Sequence, residues 1–463
     1  MESKYCDPKI SLSEMIKIFL KPFFIDDEFF IVPVIRKIKN KSEYERLLSN
    51  FVSLSVLQGA NYLLPLITLP YLVRVLGADK FGLISFAQAF VQYFVIITDY
   101  GFNLSATREI SINRDNLEKI SEIFSSVMII KTGLLVITMA IMGSCVLFWG
   151  RFAQDWPVYW LTFGMVLGQV MFPAWFFQGM ERMKYITFLN VLAKTIFTVA
   201  VFVFVKEQSD YLFVPALTSL GFIISGIASL VVIRRMFGIG FSLQRLTTLK
   251  YHLSRGWHIF ASQLSISLFS NTNTVILGLF ANNTMVGYYA AAEKVMRALA
   301  MLQVPVTGAI YPYMAQKIKT NSVAAMSELR KIIKFGSILY GVLLTFVFIC
   351  ADWIIRLLYS SSMDASVNLL RIIAFVPLTI FLNNIFGTQI MLNTNREKQF
   401  FKVLFSGGVI NVCLASILSS FYMDVGAAVA LLLVEVYVMV GMFLYVHKDL
   451  RHAGAGQLGQ DNL

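Results

Sequence analysis

From Leu47 to Val446 the chain is a relay of apolar runs separated by short loops, each run about 20 residues long, the length a bilayer crossing requires. Such a run matches the ~30 Å hydrocarbon core at 1.5 Å rise per residue. No water is present there to satisfy backbone N–H and C=O groups, so a crossing segment is a helix or part of a closed barrel. The runs fall near 49–73, 81–104, 123–149, 157–179, 184–205, 211–233, 256–280, 284–312, 332–350, 366–392, 399–420 and 424–446. They predict an all-α integral membrane protein of about twelve transmembrane helices with little mass outside the bilayer.

Charge gives the orientation. The chain is 57% hydrophobic and only 14% charged, yet its net charge is +12. In a soluble protein that excess would point to nucleic acid; here the basic residues follow the positive-inside rule, and no nucleic-acid partner is expected. Even-numbered loops hold Arg108, Arg114 and Lys119, then Arg182 and Lys184, then Arg234 to Arg255, then Lys317 to Lys334, then Arg396 to Lys402. Odd-numbered loops are sparser, holding Arg74 and Lys80, then Arg151, then Lys206, then Arg356, with none in the other two. Both termini are therefore expected in the cytoplasm. Trp149, Trp156, Tyr159 and Trp160 around one outer loop, and Trp353 and Tyr359 around another, read as aromatic belts. Gly164 and Gly168 form a GxxxG on the fourth run, a pattern that permits close helix contact.

Catalytic chemistry finds no foothold. Cys6, Cys145, Cys350 and Cys413 lack CxxC spacing, the four histidines form no HExxH, and there is no Walker-A loop. No metal, cofactor or nucleophile is expected. Residues 1–46 read as a cytoplasmic extension, partly disordered, whose weakly amphipathic Glu14 to Phe24 touches the membrane surface. They carry no cleavable signal pattern.

A faint repeat organises the remainder. Residues 81–88 (FGLISFAQ) match 286–293 (VGYYAAAE) in pattern, pairing Gly82 with Gly287 six helices apart. Both copies then face the same way, which implies two parallel six-helix halves, 47–235 and 236–446, followed by a cytoplasmic tail, 447–463.

Ionisable groups at mid-depth cost about 2.5–3.5 kcal/mol each on insertion scales, so they normally face a bundle interior or water. Lys194, Arg297 and Glu435 lie near the middle of their runs, with Lys131, Glu293, Lys294 and Asp99 nearer the ends. Snorkelling is the plain alternative for the lysines, and mutual neutralisation for the i,i+4 pair Glu293 and Arg297. An excess of bases over acids suits an anionic substrate better than a cationic drug. Ser53, Ser55, Gln58 and Asn61 on the first run, and Ser262 to Thr274 on the seventh, including Asn271 and Asn273, read as a wet wall. Pro65, Pro70 and Pro305 permit bending of the first and eighth runs.

At this point the residues match a known pattern. The stretch Gly59 to Gly77 (GANYLLPLITLPYLVRVLG), continuing through Phe81 to Leu83, Asp99 to Phe102 (DYGF) and Ala106 to Glu109 (ATRE), closely resembles the Wzx-type O-antigen flippases. These form the polysaccharide-transport branch of a superfamily that also holds the multidrug (MATE) exporters and the lipid II flippases. Pro173 to Gly179 (PAWFFQG) with Glu181, Ser270 to Gly278 (SNTNTVILG) and Val286 to Tyr289 (VGYY) extend the resemblance over nearly everything after residue 46.

It implies a MATE-like bundle of two pseudo-symmetric halves in the bacterial inner membrane. The bundle would turn over undecaprenyl-pyrophosphate-linked repeat units by alternating access through a cationic central cavity. The polymer could be O-antigen, capsule or exopolysaccharide, and a drug or cation antiporter is the rival. Substrate contacts are expected at Arg297, Lys194, Lys131, Glu293, Asn61, Gln58, Asn271 and Asn273, and ion coupling at Asp99, Glu293 or Glu435. Arg74, Asp99, Arg108 and Glu109 carry over as motif positions. Expected partners are the lipid-linked oligosaccharide, membrane lipids, and a polysaccharide polymerase with its chain-length regulator.

Overall fold

Where the sequence breaks its apolar runs, the chain breaks its helices. The computed structural model describes residues 41–460, and every regular element among them is helical. Most of the expected extension, residues 1–40, lies outside the described residues. Contacts divide the chain into residues 1–52 and residues 53–463; of the first unit the described residues, 41–52, are helical, and the packing below belongs to the second.

The first two expected runs form one helical element, Lys41–Asp99, broken at Gly77, whose φ of 68° no β-carbon residue adopts cheaply. Span 3 is Leu117–Phe148. Span 4 is Trp156–Met171 continued by Ala174–Gly179, with Pro173 at the interruption. Spans 5 and 6 are Met183–Phe204 and Phe213–Phe237. Span 7 is split into Leu246–Ser270 and Thr272–Phe280, and span 8 into Asn283–Met301 and Val304–Thr320, with Pro305 in the first turn of the second piece. Span 9 is Ser322–Ile349. Span 10 is Ala365–Ile373, Val376–Asn383 and a π-helical turn Asn384–Met391, with Pro377 again opening the second piece. Spans 11 and 12 share Glu397–Gln460, broken at Met423. Pro173 and Pro377 interrupt spans 4 and 10, which occupy the same place in the two expected halves.

Among the described residues eight helical stretches are long and apolar enough to cross a membrane, and two of these contain the Gly77 and Met423 breaks. The second to sixth and ninth to twelfth expected runs fall in them, the first overlaps only from Ile67 onward, and the seventh and eighth fall in none. Those two are less apolar because they carry the polar and charged residues singled out above.

The repeat glycines touch. A β-carbon on Gly82 would lie 1.8 Å from the Asn283 carbonyl oxygen, and one on Gly287 would lie 2.1 Å from the Ala78 carbonyl oxygen. Each glycine thus faces the residue four positions before its counterpart. A reciprocal contact of that form is what two equivalent helices make when they cross at a local twofold axis.

The GxxxG on span 4 is used in the same manner. β-Carbons on Gly164 and Gly168 would meet Ser219 Cβ at 2.8 Å and the Phe222 carbonyl carbon at 2.5 Å on span 6. The close approach lets Ser219 Oγ donate to the Leu161 carbonyl at 2.5 Å and Ser229 Oγ to that of Met171 at 3.2 Å.

The aromatic belts are only partly as expected. Trp149, Trp156 and Trp353 are exposed, but Tyr159 and Tyr359 are wholly buried. Tyr159 lies three residues from Trp156, on the inward face of span 4, and the Tyr359 hydroxyl donates to the Ala291 carbonyl at 3.3 Å.

A bulky side chain at Gly168 should force spans 4 and 6 apart. Gly168→Leu is expected to destabilise the protein by about 1–3 kcal/mol, read as a lower Tm in detergent. Gly133→Ala, where a β-carbon meets nothing within 4 Å, should leave Tm unchanged. Equal melting of the two variants would contradict the packing.

Candidate functional site

Span 5 shows how the sequence aims a charge inward. Phe188, Leu192, Ile196, Val199 and Val203 are exposed and recur at helical spacing, forming the lipid-facing stripe. Lys194 lies on the opposite side of that helix, and its Nζ donates to Asn61 Oδ1 on span 1 at 2.5 Å. Snorkelling to the headgroups is not its arrangement. Among the described residues no carboxylate lies at salt-bridge distance from it.

The other expected cations have acidic partners. Lys131 on span 3 is 3.6 Å from Asp99 at the end of span 2, and both side chains are largely buried. On span 8, Arg297 Nη2 and Nε donate to Glu293 Oε1 at 2.7 and 3.1 Å, while Thr274 Oγ1 on span 7 donates to Glu293 Oε2 at 3.2 Å. Glu293 is buried, whereas the Arg297 side chain is 36% exposed. The exposed side of this helix starts at Lys294 and continues to Met301. Glu435 on span 12 accepts from Asn383 Nδ2 on span 10 at 2.8 Å and lies within the electrostatic reach of Arg297.

Lys131, Lys194 and Arg297 therefore belong to separate clusters, each with its own partners, rather than to one ring of bases. Gln58 is exposed on span 1. Asn271 sits at the break in span 7, its Nδ2 3.4 Å from Ser267 Oγ. Asn273 is buried beside Thr272 and Thr274.

Several polar side chains of the seventh span are hydrogen-bonded within the protein. Ser262 and Ser265 return their hydroxyls to the His258 and Ala261 carbonyls, at 2.9 and 2.7 Å. Thr272 bonds Tyr93 of span 2 at 2.6 Å. A helical Ser or Thr whose hydroxyl returns to the carbonyl four residues back uses its donor within its own helix.

The motif positions tie the expected halves together. At the end that the charge pattern puts outside, Arg74 Nε donates to the Leu358 carbonyl at 3.0 Å and Nη2 to that of Leu357. Arg151, unremarked in the sequence beyond its loop charge, reaches the Ala281 carbonyl and Asn283 Oδ1, both at 3.0 Å, and lies over the Phe86 ring. Burial lowers the pKa of this guanidinium from its ordinary value, which still leaves it charged. At the opposite end Glu109 meets the buried His252 at 3.2 Å, and Tyr100 stacks on Phe260 with ring centroids 4.8 Å apart. Arg108 is exposed. Nothing in the spacing of Arg151 or His252 marked them, because their partners lie far away in sequence.

The Asp99–Lys131 pair reads as structural. Lys131→Met alone leaves a carboxylate buried without its cation and should cost about 3–5 kcal/mol. The double variant Asp99→Asn with Lys131→Met should recover most of that loss. The check is Tm and membrane abundance of the three chains, and a double variant no better than the single one would contradict the assignment.

The chain can now be set beside known proteins. Residues 47–318 match the family described as polysaccharide biosynthesis protein. The chain is 33% identical over 400 residues, 86% of its length and 96% of the relative's, to the "Putative O-antigen transporter" of Escherichia coli (strain K12). In fold it is similar to the lipid II flippase MurJ in an inward closed conformation, with a TM-score of 0.68, 11% identity, and coverage of 87% of this chain and 90% of that one. It is also similar to an inward-facing MATE-family multidrug resistance transporter, with a TM-score of 0.66, 14% identity, and coverage of 88% and 99%. The all-α, MATE-like membrane fold expected from the sequence is the fold observed, and the chain is a multi-pass membrane protein belonging to the polysaccharide biosynthesis protein family.

Proposed function

We propose that this protein moves undecaprenyl-pyrophosphate-linked repeat units of a surface polysaccharide, O-antigen foremost, from the cytoplasmic to the outer leaflet of the bacterial inner membrane. The observation that carries the reading is the 33% identity, over 86% of the chain, to a protein described as an O-antigen transporter. A pyrophosphate cannot cross unaided, since burying unpaired charge in hydrocarbon costs tens of kcal/mol by Born estimates. Lys194 and Arg297 supply counter-charge at mid-depth. The exposed row from Lys294 to Arg297 carries two cations one turn apart, which favours a hydrated passage over acyl chains.

In this reading the halves 47–235 and 236–446 rock against each other and both termini lie in the cytoplasm. The Gly82–Gly287 crossing, with Arg74 and Arg151 gripping carbonyls across it, is the closed outer gate. Glu293 holds the Arg297 guanidinium in place while its exposed edge meets phosphate oxygens. If transport is coupled to an ion, Glu435 is the acid for it, because Asp99 and Glu293 already hold cations at contact distance. A drug antiporter would place acids, not bases, around its substrate. Polymerase and chain-length regulator are the partners that would consume the product outside.

A deletion strain is expected to lose surface polysaccharide while lipid-linked repeat units stay on the cytoplasmic face, and the wild-type chain should restore export. Arg297→Gln should lower export by about ten- to hundredfold, the loss of one charged hydrogen-bonded contact, at unchanged membrane abundance. Full export by Arg297→Gln would count against its phosphate role, and normal polysaccharide in the deletion strain would end the reading.

A further inference from the structure

A pocket of about 140 Å³ lies between spans 1, 5 and 6, with Lys194 in its wall. Many of its lining residues are polar by type, yet the surface they offer is almost wholly apolar, and the hydrogen bonds explain why. Thr68 Oγ1 turns back to the Leu64 carbonyl at 3.1 Å and Thr218 Oγ1 to that of Val214 at 2.7 Å. Ser225 Oγ reaches the Leu189 carbonyl at 3.2 Å, and Asn190 Nδ2 that of Ile186 at 2.9 Å. With these groups bonded to backbone carbonyls, their methyl and methylene carbons join Leu64, Phe197 and Phe222 in facing the space. An apolar cavity of about 150 Å³ excludes water and holds a benzene-sized group, so this one has room for a single five-carbon branched unit.

The charge beside it limits what enters. Lys194 is held by one neutral oxygen, Asn61 Oδ1, whereas Lys131 and Arg297 each contact a carboxylate. An ammonium inside a span without a carboxylate favours a ligand that brings an anion. Apolar wall and unpaired cation together describe an amphiphile with its negative charge at the root of the chain.

We infer that this pocket binds the phosphate-proximal isoprene unit of a polyprenyl diphosphate, with the diphosphate on Lys194. The inference rests on the transport reading above and deepens it: the first half would recognise the junction between carrier lipid and head group, not the sugar. Neither a free anion nor an ordinary glycerophospholipid satisfies both features, the first lacking the chain and the second the branched carbon next to the phosphate.

The test uses the full chain purified in detergent with three probes: inorganic pyrophosphate, farnesyl diphosphate and dioleoyl phosphatidate. Farnesyl diphosphate should bind about tenfold or more tightly than pyrophosphate, the burial of a few carbons being enough for that. Gly221→Leu fills the pocket at a position where a β-carbon makes only ordinary contact, 3.7 Å from the Ala193 carbonyl. It should bring the two affinities together. Lys194→Gln should weaken both ligands.

A diazirine-bearing farnesyl diphosphate gives a readout on the unmodified protein, should Gly221→Leu fail to fold. It should label peptides that contain residues 64–68, 189–198 or 218–225. Labels confined to other spans, a chain-length increment that survives in folded Gly221→Leu, or equal competition by dioleoyl phosphatidate would each overturn the proposal. If these tests fail while the wild-type chain still restores export in the deletion strain, the subsite falls and the transport reading stands. If the site binds as expected but the chain restores nothing, the transport reading falls instead.

Discussion

A charge placed at mid-depth in a bilayer has to be answered by something, because the hydrocarbon around it offers neither water nor counter-ion. This chain gives three answers. Lys131 is neutralised by Asp99 in a buried pair. Arg297 is fixed by Glu293 but keeps an exposed edge. Lys194 is turned away from the lipid-facing stripe of its own helix and held by a single amide oxygen. Of the three, Lys194 is the base with no carboxylate at contact distance among the described residues.

Helix contact supports those placements through small residues. Lipid tails provide no hydrophobic drive between helices, so close backbone approach and local hydrogen bonds carry the packing. Span 4 meets span 6 through Gly164 and Gly168, and span 2 meets span 8 through Gly82 and Gly287. The second contact joins equivalent positions of the repeat. Movement of one half against the other would have to begin there, and Arg74 and Arg151 fasten the same end with hydrogen bonds to backbone carbonyls. Bonds to backbone carbonyls need no particular side chain in the partner, and the one side-chain partner, Asn283 for Arg151, lies 132 residues away.

Several features were legible before any coordinates. The apolar runs and their approximate ends followed from hydropathy, whereas the breaks inside spans 4, 7 and 10 did not, and Pro65 and Pro70 lie within continuous helix. The Glu293–Arg297 pair followed from i,i+4 spacing alone. The repeat was read from eight residues, and its paired glycines meet. Other features were not legible for one reason: residue type does not reveal where a hydroxyl or ring is aimed. Thr68, Thr218 and Ser225 are polar letters that present carbon to a pocket, Ser262 and Ser265 return their hydroxyls to their own helix, and Tyr159 is a belt-like tyrosine buried on the inward face of span 4.

Sequence by itself determined that this chain is a helical membrane bundle with bases at mid-depth, because the backbone's need for internal hydrogen bonds and the length of a crossing leave no other solution. Tertiary structure decided which of those bases is paid in full by a carboxylate and which is not. Asp99 lies 32 positions before Lys131, and Asn61 lies 133 before Lys194. Contacts at such separations are set by how helices cross, and no local pattern in the chain records the crossing.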